Sequence, residues 1–236
     1  FSCAVVLTPS LTTQVRADLH TSASFEPPPG RGAPRSGTAG GGARPARTAC
    51  MSNAAATADS LTALSPGRHL GLTQSDRPNL FVYLPKTTAQ TAEVSLFDEQ
   101  MNGIYQVSVP VPQQGGLVSI PLPDNAPTLA QNKPYYWTFA LVCNESDRTQ
   151  DWVVGGWIER AEPNDTLQQQ LANLTAIDRA SLYAKQGFWY DALTTLVELQ
   201  KTQPDHPELA SSWTQLMQSV GLDAIATKLV NNPLRK

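Results

Sequence analysis

PYYWTFALVC, residues 134–143, decides the fold class. Tyr135, Trp137, Phe139, Leu141 and Cys143 fall on one face and the residues between them on the other. That is the period of two expected of a strand with one buried side. The same signature recurs on both sides of the stretch. Upstream, NLFVYLP (79–85) is a short apolar run ended by Pro85, and AEVSLFD (92–98) leads through EQMNG into IYQVSVPV (104–111). Asn102-Gly103 is a tight-turn signal. Tyr105, Val107, Val109 and Val111 share a face of the following strand, where Pro110 suits a sheet edge. LVSIPLP (117–123) and DWVVGGWIER (151–160) complete six strands separated by turn signals. This spacing predicts an immunoglobulin-like antiparallel β-sandwich, one strand short of the usual seven.

From Asp165 the period becomes helical. TLQQQLANLTAIDRASLYAKQG and FWYDALTTLVELQKTQP read as a helical hairpin, with Ala180, Tyr183, Gly187, Ala192, Leu196 and Pro204 at the spacing of one tetratricopeptide unit. ELASSWTQLMQSV adds a helix stopped by Gly221. With a single matching unit, the expectation is a small helical module packed on the sandwich. Three aromatics in a row, Phe188-Trp189-Tyr190, are too many for one helix face. They mark a contact with the sandwich or with another chain.

The organisation expected is therefore α+β: an amphipathic N-terminal strand over 1–20, a Pro/Gly/Arg-rich linker over 21–58, a β-sandwich over 59–162 and a helical module over 163–236. Within the linker, SFEPPPGRGAPRSGTAGGGARPARTAC (24–50) has Phe25 as its only large apolar residue, a composition that cannot order itself alone. Charge divides along the same line. Residues 1–58 carry a net +3 and the remainder a net −6, within a total of −3. A weakly basic arm on an acidic body lacks the concentrated basic face of a nucleic-acid binder. It suits an arm whose Arg31, Arg35, Arg44 and Arg47 lie along an acidic surface of a second copy, or a solvated linker.

LTTQVRADLH (11–20) alternates Leu11, Thr13, Val15, Ala17 and Leu19 against polar partners, as a half-buried strand does. It also contains Val15-Arg16-Ala17, a small-residue cleavage pattern of an export signal. Phe-Ser-Cys at the start is a second export reading, with Cys3 as an acylated residue. No stretch approaches the 18 or so apolar residues of a membrane helix. Cys50 and Cys143 are candidates for a disulfide in an oxidising compartment, with Cys3 left odd. The three cysteines lack C-x-x-C spacing and His20, His69 and His206 are scattered, so no metal site is expected.

Catalytic motifs are absent: there is no G-x-S-x-G, H-E-x-x-H or P-loop pattern. The GTAGGGAR stretch neither follows a strand nor opens a helix. Glu145, Asp147 and Asp151 lie in one loop without Ca²⁺-loop spacing. Trp152 and Trp157 differ by an odd number, which puts them on opposite faces of a strand rather than side by side as a sugar platform. No cofactor is expected.

APRSGTAGGGAR before Cys50, LTALSPG, GLTQSDRPNLFVYLP, the Trp137–Cys143 strand, GWIER, YAKQGFWYDAL and WTQLMQSVGL together resemble the cyanobacterial family known as domain of unknown function 928, over about residues 31–222. The resemblance implies a cyanobacterial exported protein and carries over no activity. The residues before 30 lie outside those motifs. Three functions are consistent with the sequence. The first is a non-enzymatic, extracytoplasmic subunit of a self-assembling surface filament, joined to other copies of itself by donating the strand Leu11–Leu19. The second is a monomeric periplasmic adaptor for a ligand, a surface protein or polysaccharide. The third and most distant is a carbohydrate-active enzyme using Asp147 or Asp151.

Overall fold

The computed structural model describes residues 23–31, 50, 60–226 and 228 of the 236. It is a mixed α+β structure. Among the described residues, eight strands form two sheets: β1 (Thr62–Ala63), β3 (Asn79–Leu84) and β6 (Gly116–Pro121) in the order β1-β3-β6, and β2 (Gly71–Thr73), β4 (Thr91–Phe97), β5 (Gly103–Pro110), β7 (Pro134–Leu141) and β8 (Trp152–Arg160) in the order β2-β8-β7-β4-β5. Alternation works as expected. Ala92, Val94 and Leu96 of β4 and Tyr135, Trp137, Phe139 and Leu141 of β7 are buried in one core together with Leu80, Val82 and Leu84 of β3.

Two departures from the expected sandwich stand out. The six expected strands are eight, because LTALSPG and GLTQS each supply a strand of two or three residues, too short to show a period. Strand count therefore leaves no vacancy of its own. The second departure is that β2 runs parallel to β8, with Gly71 opposite Ile158, so the larger sheet is not wholly antiparallel. A parallel neighbour requires a crossover, and β2 is separated from β8 by most of the sandwich.

Five helices follow among the described residues: α1 (Asp165–Leu171), α2 (Ala176–Lys185), α3 (Trp189–Thr202), α4 (Leu209–Gln218) and α5 (Asp223–Ala226). The first expected helix is broken in two. Thr175 stops the run by accepting the Asp178 N–H at 3.2 Å as a new N-cap. Gly187, at φ +80°, turns the chain between α2 and α3, which pack together. The helices straddle the β1/β2 end of the sandwich. Leu64, which follows β1, and Tyr83 and Leu117 of the small sheet meet Trp213 and Ile225 of α4 and α5 around a small cavity of about 10 Å³. On the outer face of the large sheet, Tyr136 and Trp157 form a second core with Leu70, Leu72, Leu167, Leu171 and Phe188.

Residues 23–31, within the expected linker, are docked rather than solvated. Phe25 is 6% exposed, edge-on to Trp189 at 5.4 Å, and its N–H donates to Ser219 Oγ. Glu26 N–H donates to the Ala184 carbonyl at 3.1 Å. One aromatic side chain with a receiving slot overrides a composition that would otherwise stay solvated.

Candidate interaction surface

The junction between sandwich and helices is built from Phe188-Trp189-Tyr190. All three are buried, at 4%, 0% and 1% exposure, and they reach different surroundings rather than one helix face. Phe188 precedes α3 with ψ 66°, which turns it away from the helix face and into the second core. Trp189 Nε1 donates to the Leu64 carbonyl at 2.8 Å. Tyr190 reaches the sandwich interior: its hydroxyl accepts from Trp137 Nε1 at 2.7 Å and donates to the Trp157 carbonyl at 3.1 Å. Burial pushes the Tyr190 phenol well above its ordinary pKa, so it stays a neutral donor. Glycines make room: a Cβ at Gly71 would lie 2.8 Å from the Tyr190 ring, and one at Gly155 would overlap the Trp137 carbonyl oxygen.

The loop acids are engaged within their own loop. Arg148 makes a two-pronged pair with Glu93 (Nη1 2.9 Å, Nη2 2.8 Å) and binds Asp151 through Nε at 2.6 Å. Asp151 Oδ1 accepts the Cys143 N–H at 3.1 Å. Asp147 caps the 3-10 turn Arg148–Gln150 by accepting from Thr149, and hydrogen bonds from Thr149 and Gln150 hold its carboxyl below the usual range. The Arg148 hydrogen bonds do the same for Glu93. These groups fasten the loop after Cys143 to β4. Among the described residues there is no group of three or more His, Cys, Asp or Glu that could hold a metal ion. Trp157 lies against Tyr136, 5.2 Å between ring centroids, and Trp152 packs half-buried on the main core, so the two form no shared platform.

Cys50 and Cys143 form a disulfide, with Cα atoms 4.9 Å apart and a sequence separation of 93. The Cys50 carbonyl is held by Thr87 Oγ1 at 2.6 Å and Thr88 N–H at 2.9 Å, so the bridge ties residue 50 to the turn before β4 as well as to the end of β7. Arg31, expected along an acidic neighbour, pairs instead with buried Glu159 of its own chain and donates to Asn132 Oδ1 at 3.3 Å. Arg35, Arg44 and Arg47, Cys3, the GTAGGGAR stretch and the strand residues Leu11, Thr13, Val15, Ala17 and Leu19 lie outside the described residues.

Of the strand edges left open among the described residues, the longest is at the far end of the larger sheet, where β5 has eight residues against six for the edge strand β6 of the smaller one. Among the described residues nothing pairs with the outer side of β5. Its side chains are exposed or half-buried throughout: Tyr105, Val107 and Val109 touch the main core, and Gln106 and Ser108 face outward. Three large apolar side chains among the described residues are exposed, and two of them, Met101 (44%) and Ile104 (39%), sit at the β4–β5 hairpin. The hairpin turn is not centred on Asn102-Gly103. Met101 takes the left-handed conformation (φ 66°), and Asp98 accepts the N–H groups of Gln100 and Asn102 at 2.9 and 2.8 Å.

Fold and surface together define a two-sheet α+β body, closed by helices at one end and carrying an open strand edge at the other. No helix of the described residues is long and apolar enough to cross a membrane. A family model matches residues 39–230, and the chain belongs to that family, described as Domain of Unknown Function (DUF928). No curated protein matches the chain.

Proposed function

We propose that the protein is a non-enzymatic, exported structural subunit of an extracellular or cell-surface filament, built from an immunoglobulin-like sandwich and a tetratricopeptide-like hairpin. It assembles with other copies of itself, each donating the N-terminal strand Leu11–Leu19 to a neighbouring sandwich. The open edge of β5 supports this reading most, because a long uncovered edge invites strand addition. The Cys50–Cys143 disulfide supports an oxidising, extracytoplasmic compartment. The test is sedimentation of the full chain and of a chain lacking residues 1–20, at matched concentration. Assembly requires polymers of the first and a folded monomer of the second.

One observation favours a second reading, a monomeric periplasmic adaptor. Residues 23–31 run back onto the chain's own helices through Phe25, Glu26 and Arg31. An adaptor of this kind is monomeric with or without residues 1–20.

A further inference from the structure

The outer edge of β5 has a definite chemistry. Val111 N–H donates to the Gln90 carbonyl at 3.0 Å, and the β4–β5 register pairs Ala92 with Val109 and Val94 with Val107. In an antiparallel pair, alternate residues point their N–H and C=O groups at the partner. The backbone groups of Tyr105, Val107 and Val109 therefore turn toward β4, and those of Gln106 and Ser108 turn outward. Independent support comes from the other side of β4, where Val142 N–H donates to the Thr91 carbonyl. Odd-numbered β4 residues thus serve β7 and even-numbered ones serve β5.

Natural edges are guarded by Lys, Pro, bulges or a covering segment. Here the guards stand only at the ends: Pro110 terminates β5, and the register shifts at Leu96/Phe97 beside Ile104. The central edge at Gln106 and Ser108 carries no charge and no proline.

We propose that this edge is the receiving site for residues 11–19 of a second copy, an inference that rests on the assembly reading above. The two strands match in length and in both faces. β5 has eight residues and the donor segment nine. A strand added here lays its side chains beside those of β5. Leu11, Val15 and Leu19 then extend the row of Tyr105, Val107 and Val109, covering apolar surface that is now half-exposed. Thr12, Gln14, Arg16 and Asp18 continue the polar outer row of Gln106 and Ser108. The opposite register would place the leucines in water, so the pleat selects one arrangement.

Reach favours a neighbour over the same copy. Phe25 is held by Trp189, whose Cβ would lie 3.2 Å from a Cβ placed on Gly71, so the anchor sits beside β2. A strand outside β5 lies five spacings from β2, about 24 Å. The four residue steps from Leu19 to Ala23 span at most about 14 Å.

The test uses two full-length variants. Ser108→Pro removes an outward N–H that β4 does not use, and Val15→Asp/Leu19→Asp spoils the donor face. Each alone is expected to sediment as a folded monomer, the two variants with matching thermal melts. Mixed, they supply one working edge and one working donor, and a two-chain complex that grows no further is expected. As a second readout, the peptide Leu11–His20 added to the Val15→Asp/Leu19→Asp chain is expected to slow hydrogen exchange at the Gln106 and Ser108 amides. Polymerisation of Ser108→Pro alongside a monomeric donor variant would overturn the β5 site and leave assembly standing. A wild-type chain that stays monomeric would overturn both. If Ser108→Pro melts early, the exchange measurement decides, and protection elsewhere or nowhere rejects the site.

Discussion

Asp191→Asn is expected to abolish a fall in stability between pH 4 and pH 7. Asp191 lies in the first turn of α3, and although the residue is partly accessible its carboxylate points at the chain before β3, accepting the Gln74 N–H at 3.0 Å. Burial raises its pKa from 3.8 to about 7, against the opposing pull of hydrogen bonds from Gln74 and Thr73. The charged or titratable group that acts with it is the Tyr183 phenol on α2, and no ion pair among the described residues includes Asp191. Between pH 3.8 and 7 the folded protein holds a proton that the unfolded chain has released. Folding stability is therefore greatest below that window and declines as pH rises, at up to about 1.4 kcal/mol per pH unit, or roughly 4 kcal/mol in all. The carboxylates with lowered pKa values, Glu93, Asp98 and Asp147, act oppositely and at lower pH. Urea unfolding at pH 5, 6, 7 and 8 isolates the Asp191 contribution. Asparagine keeps an acceptor for Gln74 without the buried charge, so the variant should show a flat profile over that range and exceed the wild type at pH 8. A wild type with no slope, or a variant that keeps it, refutes the argument.

Tyr190→Phe removes the hydroxyl between Trp137 Nε1 and the Trp157 carbonyl and leaves the buried Trp137 N–H without its acceptor, a loss of about 1 to 3 kcal/mol that denaturant unfolding reads directly. Reducing the Cys50–Cys143 disulfide, or replacing both cysteines by serine, opens a loop of 93 residue steps and is expected to cost about 4 to 5 kcal/mol in the chain-entropy account, measured by melts with and without reductant.

The six longer strands were legible because each has a face that must be buried, and burial at a period of two writes itself into residue type. Strands β1 and β2 were not, since a two- or three-residue strand has no period; they exist because β3 and β8 offer edges beside Thr62–Ala63 and Gly71–Thr73. The Phe188-Trp189-Tyr190 cluster was visible as a contact but not as three contacts. Helical periodicity assumes a single receiving surface, and these rings enter three: the second core, the slot beside Leu64 and Phe25, and the sandwich interior. The docking of residues 23–31 had a weak signal in Phe25 alone. The β5 edge was legible through Pro110, which removes one outward donor, but the outward direction of Gln106 and Ser108 required the register.

The two ends of the sandwich place different demands on the chain. At the β1/β2 end three consecutive residues of α3 find polar partners beyond their own helix: Trp189 in Leu64, Tyr190 in Trp137 and Trp157, Asp191 in Gln74. Burying such groups requires partners, and the glycines at 71 and 155 admit them at close quarters. At the β5 end, Gln106 and Ser108 leave their backbone groups to solvent. Water satisfies them at little cost, so the open edge does not weaken the monomer; it leaves the body stable alone and competent to add a strand. The family match begins at residue 39, after both Phe25 and the alternating segment. The body that supplies the edge thus lies within the family fold, whereas the strand proposed to fill it lies outside. It follows that altering residues 11–19 should abolish association and leave a folded, monomeric body, the separation on which the two-variant mixing experiment depends.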